Sequence, residues 1–328
     1  VIIARYIQPE TNQICLGLVI DEQIVDFRSA WAFGIADAEV HGSYNATLFA
    51  NLQNGSLAQL EELLYSDDPP DVSPFATRLA DAKLMPPVDA RSLRDFYAFE
   101  QHVRQARKNR GLEMIPEWYE APVFYFSNTA NISAHEDDIA KPVDTHELDY
   151  ELELAVVIGK EGSDIAVERA EEYIAGFTIF NDWSARDLQR REMKVGLGPA
   201  KGKDFASTLG PYLVTPDELV DRSVNAEKSG TAPRKAEGPR YNLTMIASVN
   251  GNEYSRGNAR DMNWTFAELI AEASRNTRLL PGDVIGSGTV GTGCITEFAK
   301  GTYPWLQPGD VVELAIERLG VLRNRVIG

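Results

Sequence analysis

Apolar and polar residues alternate strictly from Leu148 to Leu154, and the alternation then passes into the apolar run Ala155-Val156-Val157-Ile158, closed by Gly159. This pattern predicts one β-strand, solvated or ligand-lined on one face at its start and buried on both faces at its end. Residues two apart on a strand share a face and lie about 7 Å apart. Asp149, Glu151 and Glu153 are therefore expected to project together, opposite Tyr150, Leu152 and Leu154. Like charges so placed repel one another unless water, a cation or protonation intervenes. Taken alone, so short an acidic pattern fits an exposed strand face as well as a site.

Other stretches carry equally plain periodicities. Val1 to Tyr6, Ile14 to Ile20 and Gln23 to Phe27 read as short strands joined by polar turns such as Asp21-Glu22. A helix is expected from Ser56 as N-cap, with Leu57, Leu60, Leu63 and Leu64 on one face and Gly55 ending the element before it. Phe96, Phe99, Val103 and Ala106 recur at helical spacing, predicting a helix from Asp95 to Arg110 with Gly111 at its end. His102 lies beside that stripe, and Arg104, Arg107, Lys108 and Arg110 make a basic face that fits a solvated helix surface.

Pro122 to Phe126 and Ile174 to Phe180 read as strands, the second running into Asn181-Asp182-Trp183-Ser184-Ala185-Arg186-Asp187-Leu188-Gln189. A polar cluster at the end of a buried strand is a usual place for a site, because the strand fixes side chains that the end exposes. Further on, Asn250-Gly251 predicts a hairpin turn, and Asn263 or Thr265 an N-cap for a helix from Phe266 to about Arg275. Leu280-Pro281-Gly282-Asp283 and Gln307-Pro308-Gly309-Asp310 are two similar turns that each launch a strand. Asp221 to Arg240 reads as a mobile polar excursion, and Gly286 to Gly293 as a flexible glycine-rich wall or a plain loop. Breaker clusters stand at Asp67 to Asp71 and at Met85-Pro86-Pro87. The second sets the expected boundary between a small α+β domain, residues 1–87, and a catalytic, metal-binding domain, 88–328.

Composition narrows the function classes. A formal net charge of −17 over 328 residues argues against a nucleic-acid partner, which needs local cation density. With 44% hydrophobic and 25% charged residues the chain is ordinary for a soluble globular protein. No apolar run approaches the roughly 18 residues of a membrane span, and no basic-then-apolar signal pattern opens the chain. A cytoplasmic enzyme without a membrane partner is the expectation. Two cysteines, Cys15 and Cys294, indicate neither a disulfide framework nor a cysteine-based metal site. Gly196 to Phe205 carries Lys201 and Lys203 but lacks the order of a phosphate loop, so nucleotide binding is rejected. Three acidic positions, Asp95, the Glu151/Glu153 pair and Asp182, together with one histidine point instead to a hard-cation site with a base nearby.

Leu148-Asp149-Tyr150-Glu151-Leu152-Glu153-Leu154-Ala155 and Asn181-Asp182-Trp183-Ser184-Ala185-Arg186-Asp187-Leu188-Gln189, in this order, resemble the fumarylacetoacetate hydrolase family, and the likeness runs from about Lys83 to Val326. The resemblance implies an α+β, β-rich fold: a mixed β-sandwich roll behind a smaller β-rich amino-terminal domain, assembled as a homodimer. It implies one divalent cation per chain, Mg, Mn or Ca, on Asp95, Glu151, Glu153 and Asp182. His102 would be the base that activates water, Glu297 the carboxylate that orients it, and Lys203 a further catalytic cation. Tyr97, Tyr125, Arg186, Gln189 and Thr289 would contact substrate. The sequence departs from fumarylacetoacetase itself where Phe124-Tyr125-Phe126-Ser127-Asn128 follows Pro122-Val123, keeping only the tyrosine.

These residue types suit a small anionic dioxo acid. A hard cation can polarise a chelated carbonyl, a histidine can take a proton from water near neutrality, and a lysine can steady the expelled enolate. The expected activity is hydrolysis of a C–C bond in a 2,4-dioxo acid, fumarylacetoacetate or acylpyruvate-like, as in aromatic-acid catabolism. Two alternatives stand beside it: a lyase on the same scaffold, dehydrating a 2-keto-3-deoxy sugar acid or decarboxylating oxaloacetate, and a non-catalytic cation-binding protein. Arg186 and Lys203 could also be plain partners of Asp187 and Asp204, and His41, His135 and His146 receive no role.

Overall fold

A computed structural model of the chain describes residues 1–224 and 237–328. Two sheets face each other across the main core, an α+β, strand-rich arrangement with no closed barrel. The larger sheet has 12 strands. Its central path runs Ile2–Ile7, Ser207–Val214, Ile174–Asn181, Leu152–Ile158, Asp283–Gly286, Ser92–Phe96 and Phe124–Ser127. Ile14–Ile20, Gln23–Asp26 and Ala76–Arg78 extend it beyond Ile2–Ile7. The strands of the first 87 residues thus continue the sheet of the rest, through Ile2 and Ile3 paired with Val214 and Leu213. The second sheet holds five strands, in the order Asn252–Asn258, Thr244–Val249, Val311–Ile316, Gly320–Ile327 and Asp138–Ala140.

Strand periodicity explains the layering. Leu152, Leu154, Val156 and Ile158 pack with Met245, Ala247, Leu314 and Leu322 of the second sheet. Ala155 and Val157 turn to the other face, against Leu48, Leu57 and Leu60 of the helices Tyr44–Gln53 and Ser56–Leu64. A strand covered on both faces reads as an apolar run, as this one does after Leu154.

Local chemistry sets several boundaries. Asn250 and Gly251 both take positive φ, the geometry of the tight hairpin turn between Thr244–Val249 and Asn252–Asn258. Thr265 caps Phe266–Ser274, and Glu268 completes a capping box. The two similar turns are chemically alike. Asp283 Oδ2 accepts the Leu280 N–H at 2.9 Å and Asp310 Oδ2 the Gln307 N–H at 2.8 Å.

Four expectations need correction. The stretch from Leu148 to Gly159 is two strands, Leu148–Asp149 and Leu152–Ile158, because the chain leaves one pairing partner and joins another at Tyr150-Glu151. Asp95 does not open a helix. Ser92–Phe96 is a strand paired in parallel with Asp283–Gly286, and the helix is Glu100–Lys108. Ser56 is the first helical residue, not the cap; Gly55, left-handed at φ +79°, stands at the cap without a side-chain bond. The Gly286–Gly293 segment is buried almost throughout, not a flexible wall. Of the polar excursion, Ser223–Val224 pairs with Arg240–Tyr241, while 225–236 lie outside the described residues.

Candidate metal centre

Three strands of the larger sheet bring Asp95, Glu151, Glu153 and Asp182 together, with Asp283–Gly286 lying between the strands of Glu153 and Asp95. Glu153 is the second residue of Leu152–Ile158, and Glu151 precedes that strand by one residue. Asp182 follows the end of Ile174–Asn181, where Leu152 pairs with Asn181. Asp95 lies two strands across from Glu153, opposite Gly286. A Cβ on Gly286 would stand 2.8 Å from Asp95 Oδ1, so the missing side chain is what lets Asp95 reach in. All four carboxylates are buried, with one oxygen from each within 4.8 Å of the others.

Their remaining contacts fix their orientation. Glu153 Oε2 accepts the Gly288 N–H at 2.9 Å and Oε1 stands 3.5 Å from Thr289 Oγ1. Gly288 adopts φ +78°, and a Cβ there would meet Phe96 O at 2.5 Å, so glycine is required for that donation. Lys203 Nζ donates to Glu151 Oε2 at 2.5 Å and to Asp182 Oδ2, which also accepts the Tyr125 hydroxyl. Arg186 Nη2 reaches Glu151 Oε1 at 2.8 Å. Asp95 Oδ1 and Asp182 Oδ1 are buried without a hydrogen-bond partner among the described residues.

Burial, then the neighbouring negative charges, pushes the Asp95 and Glu153 carboxyls well above the ordinary range. Asp182 is raised too, burial outweighing Lys203. Glu151 moves the other way: burial opposes its charge, but Lys203, Arg186 and His102 together hold its carboxyl low. One ammonium and one guanidinium thus serve four buried carboxylates, and two orphaned oxygens converge. An all-oxygen donor set with a surplus of negative charge fits a hard divalent cation.

His102 and Glu297 form a second buried group. His102 Nδ1 is 2.6 Å from Glu297 Oε1, and Glu297 Oε2 accepts the Thr292 N–H at 2.9 Å. Tyr97 stands edge-on to the imidazole, ring centroids 5.3 Å apart, its hydroxyl pushed up to about 12 chiefly by burial. Thr289 and Tyr125, expected at the substrate, touch the carboxylates directly. Arg186 pairs with Asp149 and Glu151 and donates to Gln189 Oε1 at 3.2 Å; Asp187 is not among its described partners. Lys201, not Lys203, pairs with Asp204.

Asp149, expected beside Glu151 and Glu153, stands apart from them. Its Oδ1 accepts the Tyr150 and Ile295 N–H groups and its Oδ2 the Thr296 N–H and Arg186 Nε. Sequence reading also missed Asn181, whose Oδ1 accepts the Glu151 N–H at 3.0 Å, although its place directly before Asp182 was a signal. Cys294, 3.5 Å from Glu297 Oε1, gave none.

Residues 91–327 match the family model described as fumarylacetoacetate hydrolase C-terminal. The chain belongs to the fumarylacetoacetate hydrolase family. Oxaloacetate tautomerase YisK of Bacillus subtilis is 30% identical over 324 residues, covering 96% of this chain and 97% of that protein. Fumarylacetoacetase of Oryza sativa subsp. japonica is 26% identical over 310 residues, covering 78% and 72% respectively. The fold is that of maleylpyruvate hydrolase from Sphingobium sp. SYK-6, solved with manganese(II) and pyruvate: TM-score 0.69, 21% identity, 100% of this chain and 99% of that one. Family membership makes this chain a member of a group of hydrolases, tautomerases and isomerases. Among the described residues no helix is long and apolar enough to cross a membrane.

Proposed function

We propose that this protein is a metal-dependent hydrolase that cleaves a C–C bond of a small 2,4-dioxo acid, with His102 as general base. The observation that carries the reading is the buried 2.6 Å contact between His102 Nδ1 and Glu297 Oε1. A carboxylate on Nδ1 fixes the tautomer that keeps its proton there, leaving Nε2 to accept one. Asp95, Glu151, Glu153 and Asp182 would hold the cation, magnesium or manganese, which supplies polarisation of a chelated carbonyl when bound. His102 takes the proton of the attacking water. Lys203, with a third N–H beyond those on Glu151 and Asp182, steadies the departing enolate, and Tyr97 borders the substrate beside His102. The working unit in this reading is a homodimer, which light scattering tests.

The full-length likeness to a tautomerase favours a second reading. Interconverting the enol and keto forms of oxaloacetate moves a proton at carbon and needs a base but no water. A panel of acylpyruvates and oxaloacetate, assayed on the magnesium- or manganese-loaded enzyme, separates the two. Under the first reading His102→Asn lowers acylpyruvate turnover by about 10²–10⁴ while metal affinity moves little. Retained cleavage in that variant refutes His102 as the base. Tautomerisation without cleavage of any acylpyruvate puts the second reading in place of the first.

A further inference from the structure

We propose that His102, Cys294 and Glu297 form a second cation site, selective for a soft divalent ion such as zinc, whose occupation silences the enzyme. The three side chains are buried, and one ligand atom from each lies within 4.8 Å of the others. Their separations are 2.6 Å from His102 Nδ1 to Glu297 Oε1, 3.5 Å from Cys294 Sγ to Glu297 Oε1 and 4.0 Å from Cys294 Sγ to His102 Nδ1. Tetrahedral zinc, with bonds of about 2.3 Å to sulfur and about 2.0 Å to nitrogen or oxygen, would set these at about 3.3, 3.5 and 3.6 Å. One already matches, one must close by about 0.4 Å and one open by about 0.7 Å. Small rotations of the Glu297 carboxylate and the imidazole supply that.

Charge and softness favour the same ion. A thiolate and a carboxylate neutralise a divalent cation, so the filled site carries no net charge into a buried environment. Sulfur and imidazole select zinc or cobalt over magnesium, whereas the neighbouring four carboxylates select the hard ion. Three protein ligands leave a fourth position for water. The two sites divide the cations by hardness.

Filling the site moves two protons. The Cys294 thiol gives up its proton to solvent as the S–metal bond forms. The His102 Nδ1 proton must leave that nitrogen, now a ligand, and the neutral ring keeps it on Nε2 instead. An imidazole protonated on Nε2 accepts nothing there, so general-base catalysis stops without any loss of the hard cation. Because one proton is released, affinity rises about tenfold per pH unit below the thiol's titration. The inhibition half of this inference rests on His102 being the base; the binding half does not.

The test uses the magnesium-loaded protein and cobalt(II) alone as probe. One equivalent should bind with a thiolate-to-cobalt charge-transfer band in the near ultraviolet, and zinc should compete it away. Zinc at the same concentrations should abolish acylpyruvate turnover. Cys294→Ala, and Cys294→Ser as the variant closest in size, should lose the band and need at least about 30-fold more zinc for inhibition. Inhibition is read against each variant's own turnover without zinc. No band in the parent protein overturns the site. Equal zinc inhibition of parent and variants overturns it too, placing zinc among the four carboxylates. A Cys294-dependent band with undiminished turnover keeps the site and removes His102 as the base.

Discussion

Replacing Glu153 by Gln should make the metal-free protein more stable and the metal complex weaker, and the opposite signs have one cause. Glu153 is fully buried, and its carboxyl faces Asp95 closely enough for a shared hydrogen bond. Burial comes first in pushing both carboxyls well above the ordinary range; the charges of Asp182 and Glu151 then raise Asp95, and those of Asp95 and Glu151 raise Glu153. Without a cation the native state therefore binds more protons than the unfolded chain. Unfolding free energy then falls as pH rises from about 4, where free carboxyls titrate, through the raised values of the folded state. A glutamine amide donates to Asp95 as the shared proton would, and its carbonyl can still accept from Gly288. The variant imitates the protonated pair at every pH.

The magnitude follows. Removing a direct ligand charge should weaken divalent cation binding by at least about 100-fold, the upper end of what outer-shell changes cost, or about 2.7 kcal/mol. Relief of one buried like-charge contact should raise metal-free stability by about 1–3 kcal/mol above neutral pH and by almost nothing near pH 4. Calorimetric titration of chelator-stripped protein with magnesium and manganese gives the first number. Urea unfolding of the stripped protein from pH 4.5 to 8 gives the second. Parent affinity should itself weaken as pH falls, because protons compete for the ligands, and that of the variant should weaken less steeply, since Asp95 and Asp182 remain to be protonated. Unchanged affinity, or identical pH slopes for the two stripped proteins, refutes the reasoning.

Two further substitutions test the frame around the carboxylates. Gly288→Ala combines a left-handed φ with a Cβ 2.5 Å from a backbone oxygen, and should cost about 2–4 kcal/mol in urea unfolding together with about tenfold in metal affinity. A loss under 1 kcal/mol would show the segment yields freely. Tyr125→Phe removes a hydroxyl from Asp182 and should weaken metal binding by about tenfold, with KM unchanged at saturating metal. A raised KM with unchanged metal affinity would return Tyr125 to the substrate.

What the sequence revealed depended on how local the determining contacts are. The Asn250-Gly251 hairpin, the Thr265 cap and the two Pro-Gly-Asp turns are decided within a few residues, and the pattern there predicted them; the Ser56 cap was one residue out. Asp95 was read into a helix because Phe96, Phe99, Val103 and Ala106 happen to repeat at helical spacing. Its true partner, the Asp283–Gly286 strand, lies far along the chain. Glu151, Glu153 and Asp182 were legible because acidic residues on or beside apolar strands are chemically conspicuous, whereas Asp95 drew notice only as the start of the stretch that carries His102. Asp149 looked the same and is different: alternation continues through Tyr150-Glu151 while the backbone changes pairing partner, which no periodicity records. The pairing of Arg186 with Asp149 and Glu151, rather than with its neighbour Asp187, is visible only in the folded chain.

Asp149 joins the four-carboxylate cluster to the His102–Glu297 pair. Through Arg186 it meets Glu151, and through the Ile295 and Thr296 N–H groups it holds the turn that carries Glu297. Two oxygens accept four donors, all of them buried or nearly so. Asparagine can keep one oxygen in place, but its NH₂ must then face two donors. Each donor left without an acceptor costs about 1–3 kcal/mol, so Asp149→Asn should lose about 3–5 kcal/mol in urea unfolding. Glu151 still has Lys203 and its own bond to Arg186, so metal affinity should fall less than tenfold. Among the described residues the Glu297 turn keeps at that end an exposed bond from Asn109 Nδ2 to Thr296 O at 2.8 Å, a weaker hold than the two N–H bonds to Asp149. Turnover at saturating metal should therefore drop by about 10–100-fold, from a base that is less firmly oriented. Metal affinity falling as far as turnover would mean that Asp149 acts through Glu151 alone, and a stability loss under 1 kcal/mol would mean that the turn is held by something else.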